Sequence, residues 1–101
     1  MKEVKIIVGY IHDELKDAEK YAKQALYYKD ENKSASEMYA QLAREELNHM
    51  ERLHDQAVKV INKYRSENGA PPVAMLAVWD WEHDKMVEHT AKIKHLLEML
   101  R

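Results

Sequence analysis

The chain has 101 residues, of which 46% are hydrophobic and 34% charged, and its formal net charge is −2. Acidic and basic residues are interspersed, so no basic stripe of the kind that neutralises a phosphate backbone exists, and nucleic acid is not an expected partner. Cysteine is absent, which excludes disulfides, thiolate metal sites and cysteine nucleophiles. Any strong metal ligands must therefore be histidine and carboxylate side chains.

The composition, with two Gly, two Pro and no Phe, is typical of long amphipathic helices and predicts an all-α fold. A chain of this length is expected to form a single domain over residues 1–101, near the size at which one core is barely sufficient. We therefore expect a homodimer or a higher homo-oligomer. No apolar run is long enough for a membrane span and the charged start is unlike a signal peptide, so a cytoplasmic location is expected.

Two breaks divide the chain into three predicted helices. Residues 29–34 form a polar cluster ending in Ser34, a candidate N-cap, and residues 68–72 combine a glycine that can end a helix with prolines that can begin one. The predicted helices cover about residues 3–29, 35–67 and 73–100. The first two are expected to form a long antiparallel hairpin, to which the third is added.

Polar residues interrupt the apolar stripes that should face each other in this hairpin. The first stripe consists of Val4, Ile7, Ile11, Glu14, Ala18, Tyr21, Ala25 and Tyr28. The second consists of Tyr39, Leu42, Glu46, His49, Leu53, Ala57, Val60 and Tyr64. Because burying an unpaired carboxylate is costly, Glu14 and Glu46 need a cation, a proton or hydrogen bonds to compensate them.

Glu46 and His49 form a Glu-x-x-His pattern, whose spacing of nearly one helical turn lets both side chains reach one ion. Glu51 and His54 have the same spacing but lie away from the stripe, and we predict that they face solvent or a partner. His12 is likewise predicted to be solvated. Oxygen and imidazole ligands without thiolate suit iron, manganese or zinc, so Glu14, Glu46 and His49 are predicted metal ligands.

The third helix offers two competing stripes. The more apolar one turns Glu82 and His89 inward, whereas its neighbour turns Asp80 and His83 inward, and both cannot be fully buried. Asp80 and His83 repeat the three-residue spacing of acid and imidazole and lie beside two tryptophans, so we predict them as additional metal ligands. The alternative for either pair is a set of polar residues at the rim of a helix interface.

Glu14 with Tyr21 seven residues later, followed by Glu46-x-x-His49 on the next helix, resembles the ligand-bearing hairpin of ferritin-like proteins. The resemblance is greatest to rubrerythrins and the short encapsulated ferritins. It implies a di-iron carboxylate site in a four-helix bundle that two copies complete across a two-fold axis, with Glu46 bridging and Glu14 and His49 as terminal ligands. It also implies Fe(II) oxidation by oxygen or peroxide, in iron storage or peroxide removal.

A second hypothesis needs no metal. The chain would then be a helical interaction or scaffold module, in which polar residues on the stripes fix register and partner choice, as buried polar groups do in coiled coils. Tyr21 fits either hypothesis as a residue that fills the core, a role we favour over hydrogen bonding to a metal ligand.

Overall fold

The structure is a computed structural model that describes residues 2–101. It contains three helices, α1 (Lys2–Tyr27), α2 (Lys33–Asn68) and α3 (Val73–Glu98). The all-α prediction is confirmed, and the two breaks fall where they were predicted. The bundle measures 56 × 18 × 18 Å, and its length is that of α2, whose 36 residues each rise about 1.5 Å. Among the described residues, none of the three helices combines the length and the apolar character that crossing a membrane requires.

The start of α2 corrects one prediction, because Asn32 rather than Ser34 is its N-cap. Asn32 has an extended backbone, and its side-chain oxygen accepts a hydrogen bond from the amide of Ala35 at 3.1 Å. Ser34 already lies inside the first turn of the helix. At the other end Gly69, with φ of 80°, donates its amide to the carbonyl of Arg65, as expected of a glycine that ends a helix.

Alanines line the contact between α1 and α2. Five of these side chains are fully buried, at 0% exposure: Ala18, Ala22, Ala25, Ala43 and Ala57. Small side chains let the two helices approach closely, and the larger Leu15 and Ile93 fill the remaining space at 0% exposure. The buried stripe thus shares several members with the predicted one but continues through Leu15 and Leu47 instead of Glu14 and Glu46, which lie at its edge.

The hairpin is held in register near its turn. Ser36 is buried and donates its hydroxyl to the carbonyl of Ala25 at 2.7 Å. The ring of Tyr39 stacks between those of Tyr21 and Tyr28, with centroid distances of 6.3 and 5.9 Å. Tyr21 also packs against the core, which agrees with the core-filling role predicted for it. This register brings the middle of α1 opposite the first half of α2.

Helix α3 runs parallel to α1 and packs chiefly against it. Contacts between the two helices join residues 70 positions apart, from His12 with Glu82 to Lys29 with the carbonyl of Met99. Ile93 is the one residue of α3 that is buried. The stripe that contains Glu82 therefore faces α1, and the inward orientation predicted for Asp80 is wrong, since Asp80 is exposed.

Candidate metal centre

Glu14, Glu46 and His49 lie together at the edge of the α1–α2 contact, and we call them the triad. One ligand atom from each side chain lies within 4.8 Å of the other two. His49 Nδ1 is 3.5 Å from an oxygen of Glu14 and 3.7 Å from an oxygen of Glu46. Within residues 2–101 this is the single group in which three such ligand atoms are so close. Helix α1 contributes one carboxylate, and one turn of α2 contributes the other two ligands.

One oxygen of the triad lacks the partner that a buried acceptor requires. Glu14 Oε2 is buried and, among the described residues, receives no hydrogen bond. Its distance of 3.5 Å from His49 Nδ1 exceeds the usual 2.7–3.2 Å of an N–H···O bond. An unsatisfied buried carboxylate oxygen costs about 1–3 kcal/mol or more. A cation bound at this oxygen would remove that cost.

The donor set fits a hard or borderline divalent metal. Two carboxylates and one imidazole without thiolate suit iron, manganese or zinc. Ligands held at about 2.0–2.2 Å from one ion lie no more than about 4.4 Å apart, so a small movement of these side chains would bring all three into coordination. The imidazole of His49 is 51% exposed, which leaves the outer side of the group open.

Asp80 and His83 are not part of this group. Asp80 is exposed on α3, and the half-buried ring of His83 contacts the rings of Trp79 and His54 instead. The structure therefore does not bring these two predicted ligands to the triad. His54 is also half-buried against α3 rather than fully exposed on α2.

Two pairs of polar residues between α1 and α3 were not recognised from the sequence. His12 Nε2 hydrogen-bonds Glu82 Oε2, and His89 Nε2 lies 3.0 Å from Glu19 Oε1. The prediction that His12 is solvated is therefore wrong, because its side chain is only 29% exposed and has a partner on α3. The available signal was reciprocal spacing, since His and Glu are seven residues apart on α1, and Glu and His are seven apart on α3.

Glu19 lies at the centre of the most highly charged contact of this interface. Hydrogen bonds from Lys23 and Lys92, at 3.0 and 3.1 Å, lower the pKa of Glu19 from 4.5 to about 2. Hydrogen bonding to the ionised form and the nearby positive charges both favour the carboxylate. Glu19 thus stays ionised and links α1 to α3, a structural role distinct from that of the triad.

Comparison of this chain with family models, with curated proteins and with solved structures gives no match. The fold is a three-helix bundle, and the resemblance to ferritin-like proteins stays a prediction that rests on the residues of the triad and their spacing.

Proposed function

We propose that this protein is a ferritin-like, non-haem carboxylate metal protein that binds iron through Glu14, Glu46 and His49. The observation that carries the proposal is the meeting of three ligand atoms within 4.8 Å, one of them a buried glutamate oxygen without a hydrogen bond. A Glu from one helix and a Glu-x-x-His pair from its neighbour are the ligands that half of a ferritin-like di-iron site uses.

The second half of the site would come from a second copy of the chain. Three protein ligands leave an ion incompletely coordinated, and the 51% exposure of His49 leaves room for a partner on that side. Tyr10, 55% exposed, lies one turn before Glu14, and half-buried Leu42 and Leu53 lie on either side of the α2 ligands. This mixed apolar face is suited to an isologous contact that places two triads together.

Charge balance supports two ions at such a site. Each copy contributes two carboxylates, so a dimer would bring four negative charges and two imidazoles to one place. Two divalent ions neutralise these charges, whereas four carboxylates brought together without cations would repel one another. Homodimerisation and metal binding are therefore coupled in this proposal.

The side chains have distinct roles at the proposed site. Glu46 would hold both ions, while Glu14 and His49 would each hold one, and the fully buried Leu15 and Ala18 fix the backbone beside Glu14. Bound Fe(II) would supply the electron transfer to oxygen or peroxide that the resemblance implies. The protein would hold the carboxylates in place and, once paired with a second copy, shield the site from water.

Anaerobic Fe(II) titration by calorimetry, with elemental analysis of the loaded protein, tests this proposal. We expect about two iron ions per pair of chains in the wild type and none in Glu46→Ala/His49→Ala. The matched control is Glu45→Ala/His95→Ala, which removes the same residue types from exposed positions and should bind as the wild type does. Oxygen uptake by the loaded wild type then tests oxidation.

Two results would contradict the proposal. One is the absence of Fe(II) binding by both the wild type and the control variant Glu45→Ala/His95→Ala. The other is equal binding by the wild type and Glu46→Ala/His49→Ala, which would place the iron elsewhere in the chain.

A metal-free interaction module is the second candidate function. It is favoured by a groove of about 580 Å³ between the start of α1, the start of α3 and Ile61 of α2, with mainly apolar walls. Val78 and Trp81 of α3 are 57% and 56% exposed, and the paired polar residues His12 and Glu82 fix the register of α3 on α1. Full thermal stability in EDTA together with failure to bind Fe(II) would favour this function.

A further inference from the structure

The rings of His54 and His83 meet across α2 and α3, and neither residue belongs to the triad. Their centroids are 5.5 Å apart and their planes are inclined by 42°. Both residues are half-buried, and the ring of Trp79 covers His83 at a centroid distance of 6.3 Å. Two imidazoles are thus held side by side in a partly desolvated position.

The other paired histidines of the bundle have hydrogen-bond partners, which sets this contact apart. His12 and His89 each contact a glutamate of the neighbouring helix at hydrogen-bonding distance. The nearest carboxylate to His54 is that of Asp55, whose oxygen is 3.8 Å from Nδ1 and therefore too far for a hydrogen bond. An imidazole ring in its neutral form has a nitrogen lone pair that can bind a metal ion.

From this contact we infer that His54 and His83 form a two-imidazole site for a borderline transition-metal ion of the Zn(II) and Cu(II) class. Imidazole is a preferred ligand of these ions, and Cu(II) is the tightest-binding of the divalent series. The terminal torsion of histidine is broad, so each ring can turn a nitrogen toward a common point without leaving its rotamer. A small movement of the exposed Asp55 side chain would let it accept a hydrogen bond from Nδ1 of His54 and leave Nε2 to bind the ion.

Such an ion would link the two helices that have the least contact with each other. Helix α3 packs chiefly against α1 and much less against α2. The segment of chain between His54 and His83 includes the exposed turn at Gly69. A metal ion bound across α2 and α3 would close this segment, and it would stabilise the folded state increasingly as the free metal concentration rises above the dissociation constant. The inference does not depend on the function proposed for the triad.

The test uses Zn(II) calorimetry and thermal unfolding in the Glu46→Ala/His49→Ala background, where the triad is disabled. We expect one Zn(II) per chain and a rise in melting temperature, with affinity reduced on the order of tenfold or more in His54→Gln and in His83→Gln. His95→Gln, which removes an exposed histidine of α3, is the matched control and should change neither quantity. The two ligands are replaced in separate variants. If one variant fails to fold, the other still tests whether its histidine binds Zn(II).

A fluorescence measurement locates the ion independently. With Trp81→Phe added, Trp79 is the remaining tryptophan, and Cu(II) bound beside His83 should quench it. That quenching should be lost in His83→Gln. Zn(II) binding unaffected by both histidine replacements, or no binding and no quenching, would overturn the inference. Failure of the wild type to bind Fe(II), with Zn(II) binding at His54 and His83 intact, would refute the proposed function alone.

Discussion

Glu14 and Leu15 are neighbours in the chain with opposite surroundings. Leu15 is fully buried, whereas the side chain of Glu14 is 28% exposed at the edge of the same core. Apolar residues of a helix face recur every three or four positions. A stripe can therefore pass through Glu14 or through Leu15 and still include the same apolar positions before and after them. The sequence therefore predicts that Glu14 lies near the core, but it does not identify Leu15 as the residue that fills it.

Replacing Leu15 tests the packing that supports the triad. Leu15→Ala should lower the free energy of unfolding by about 2–5 kcal/mol, because it removes a fully buried side chain and leaves a cavity. Ile6→Ala is the control, since Ile6 is 47% exposed and its loss should cost well under half as much. Urea unfolding measures both, and equal costs would show that Leu15 is not in the core.

Glu19 gives a stability dependence on pH whose sign follows from its pKa. In the folded chain the pKa is about 2 against an ordinary 4.5, so the unfolded chain binds the proton more tightly. The stabilisation from Glu19 is therefore present above pH 4.5 and is lost as the pH falls toward 2.

The measurement for Glu19 is urea unfolding of the wild type and Glu19→Gln across this acidic range. The wild type should be more stable near neutral pH, and the difference should shrink as the pH falls, because protonation removes the charge that contacts Lys23 and Lys92. Glu45→Gln, at an exposed position, should show no such convergence. A constant difference for Glu19→Gln would contradict the account.

At the scale of the helices, the two glycines have opposite roles. Gly69 ends α2 with φ of 80° and ψ of −165°, a region that is nearly exclusive to glycine. Gly9 lies inside α1, and a Cβ added there would meet nothing within 4 Å. We expect Gly69→Ala to destabilise by about 1–3 kcal/mol and Gly9→Ala to stabilise by about 0.5–1 kcal/mol. Thermal unfolding distinguishes the signs, and destabilisation of similar size by both would be contrary to this explanation.

Helix boundaries were predictable from the sequence because their signals are local. Gly69 and the prolines after it identify the second break without knowledge of the fold, and only the choice between Asn32 and Ser34 as N-cap failed, since both residue types cap helices. The packing of α3 was less predictable. His12 and Glu82 are 70 residues apart, and their pairing depends on the parallel alignment of α1 and α3. The orientation of Asp80 followed from that alignment and could not be decided from α3 alone.

At the scale of the whole molecule, one copy is elongated and leaves apolar side chains exposed. Tyr10, beside the triad, is 55% exposed, and Val78, on α3, is 57% exposed. The proposed dimer buries Tyr10 and leaves Val78 exposed to solvent. Chain length and the resemblance to ferritin-like proteins both predicted association, but neither identified the residues of the contact surface.

Sedimentation equilibrium of two charge-introducing variants identifies that surface. Tyr10→Glu should produce monomers, because it places a carboxylate in the apolar face beside Glu14, whereas Val78→Glu should remain dimeric. The opposite result would assign the contact to α3 and favour the interaction module. A wild type that is monomeric with and without Fe(II) would exclude the shared site.

The most direct measurement is anomalous diffraction at the iron edge from crystals grown with Fe(II). The proposed site predicts iron peaks bonded to oxygens of Glu14 and Glu46 and to a ring nitrogen of His49, close to the same residues of a symmetry-related copy. Iron found away from all three side chains, or a fully iron-free triad in crystals that bind iron elsewhere, would contradict it.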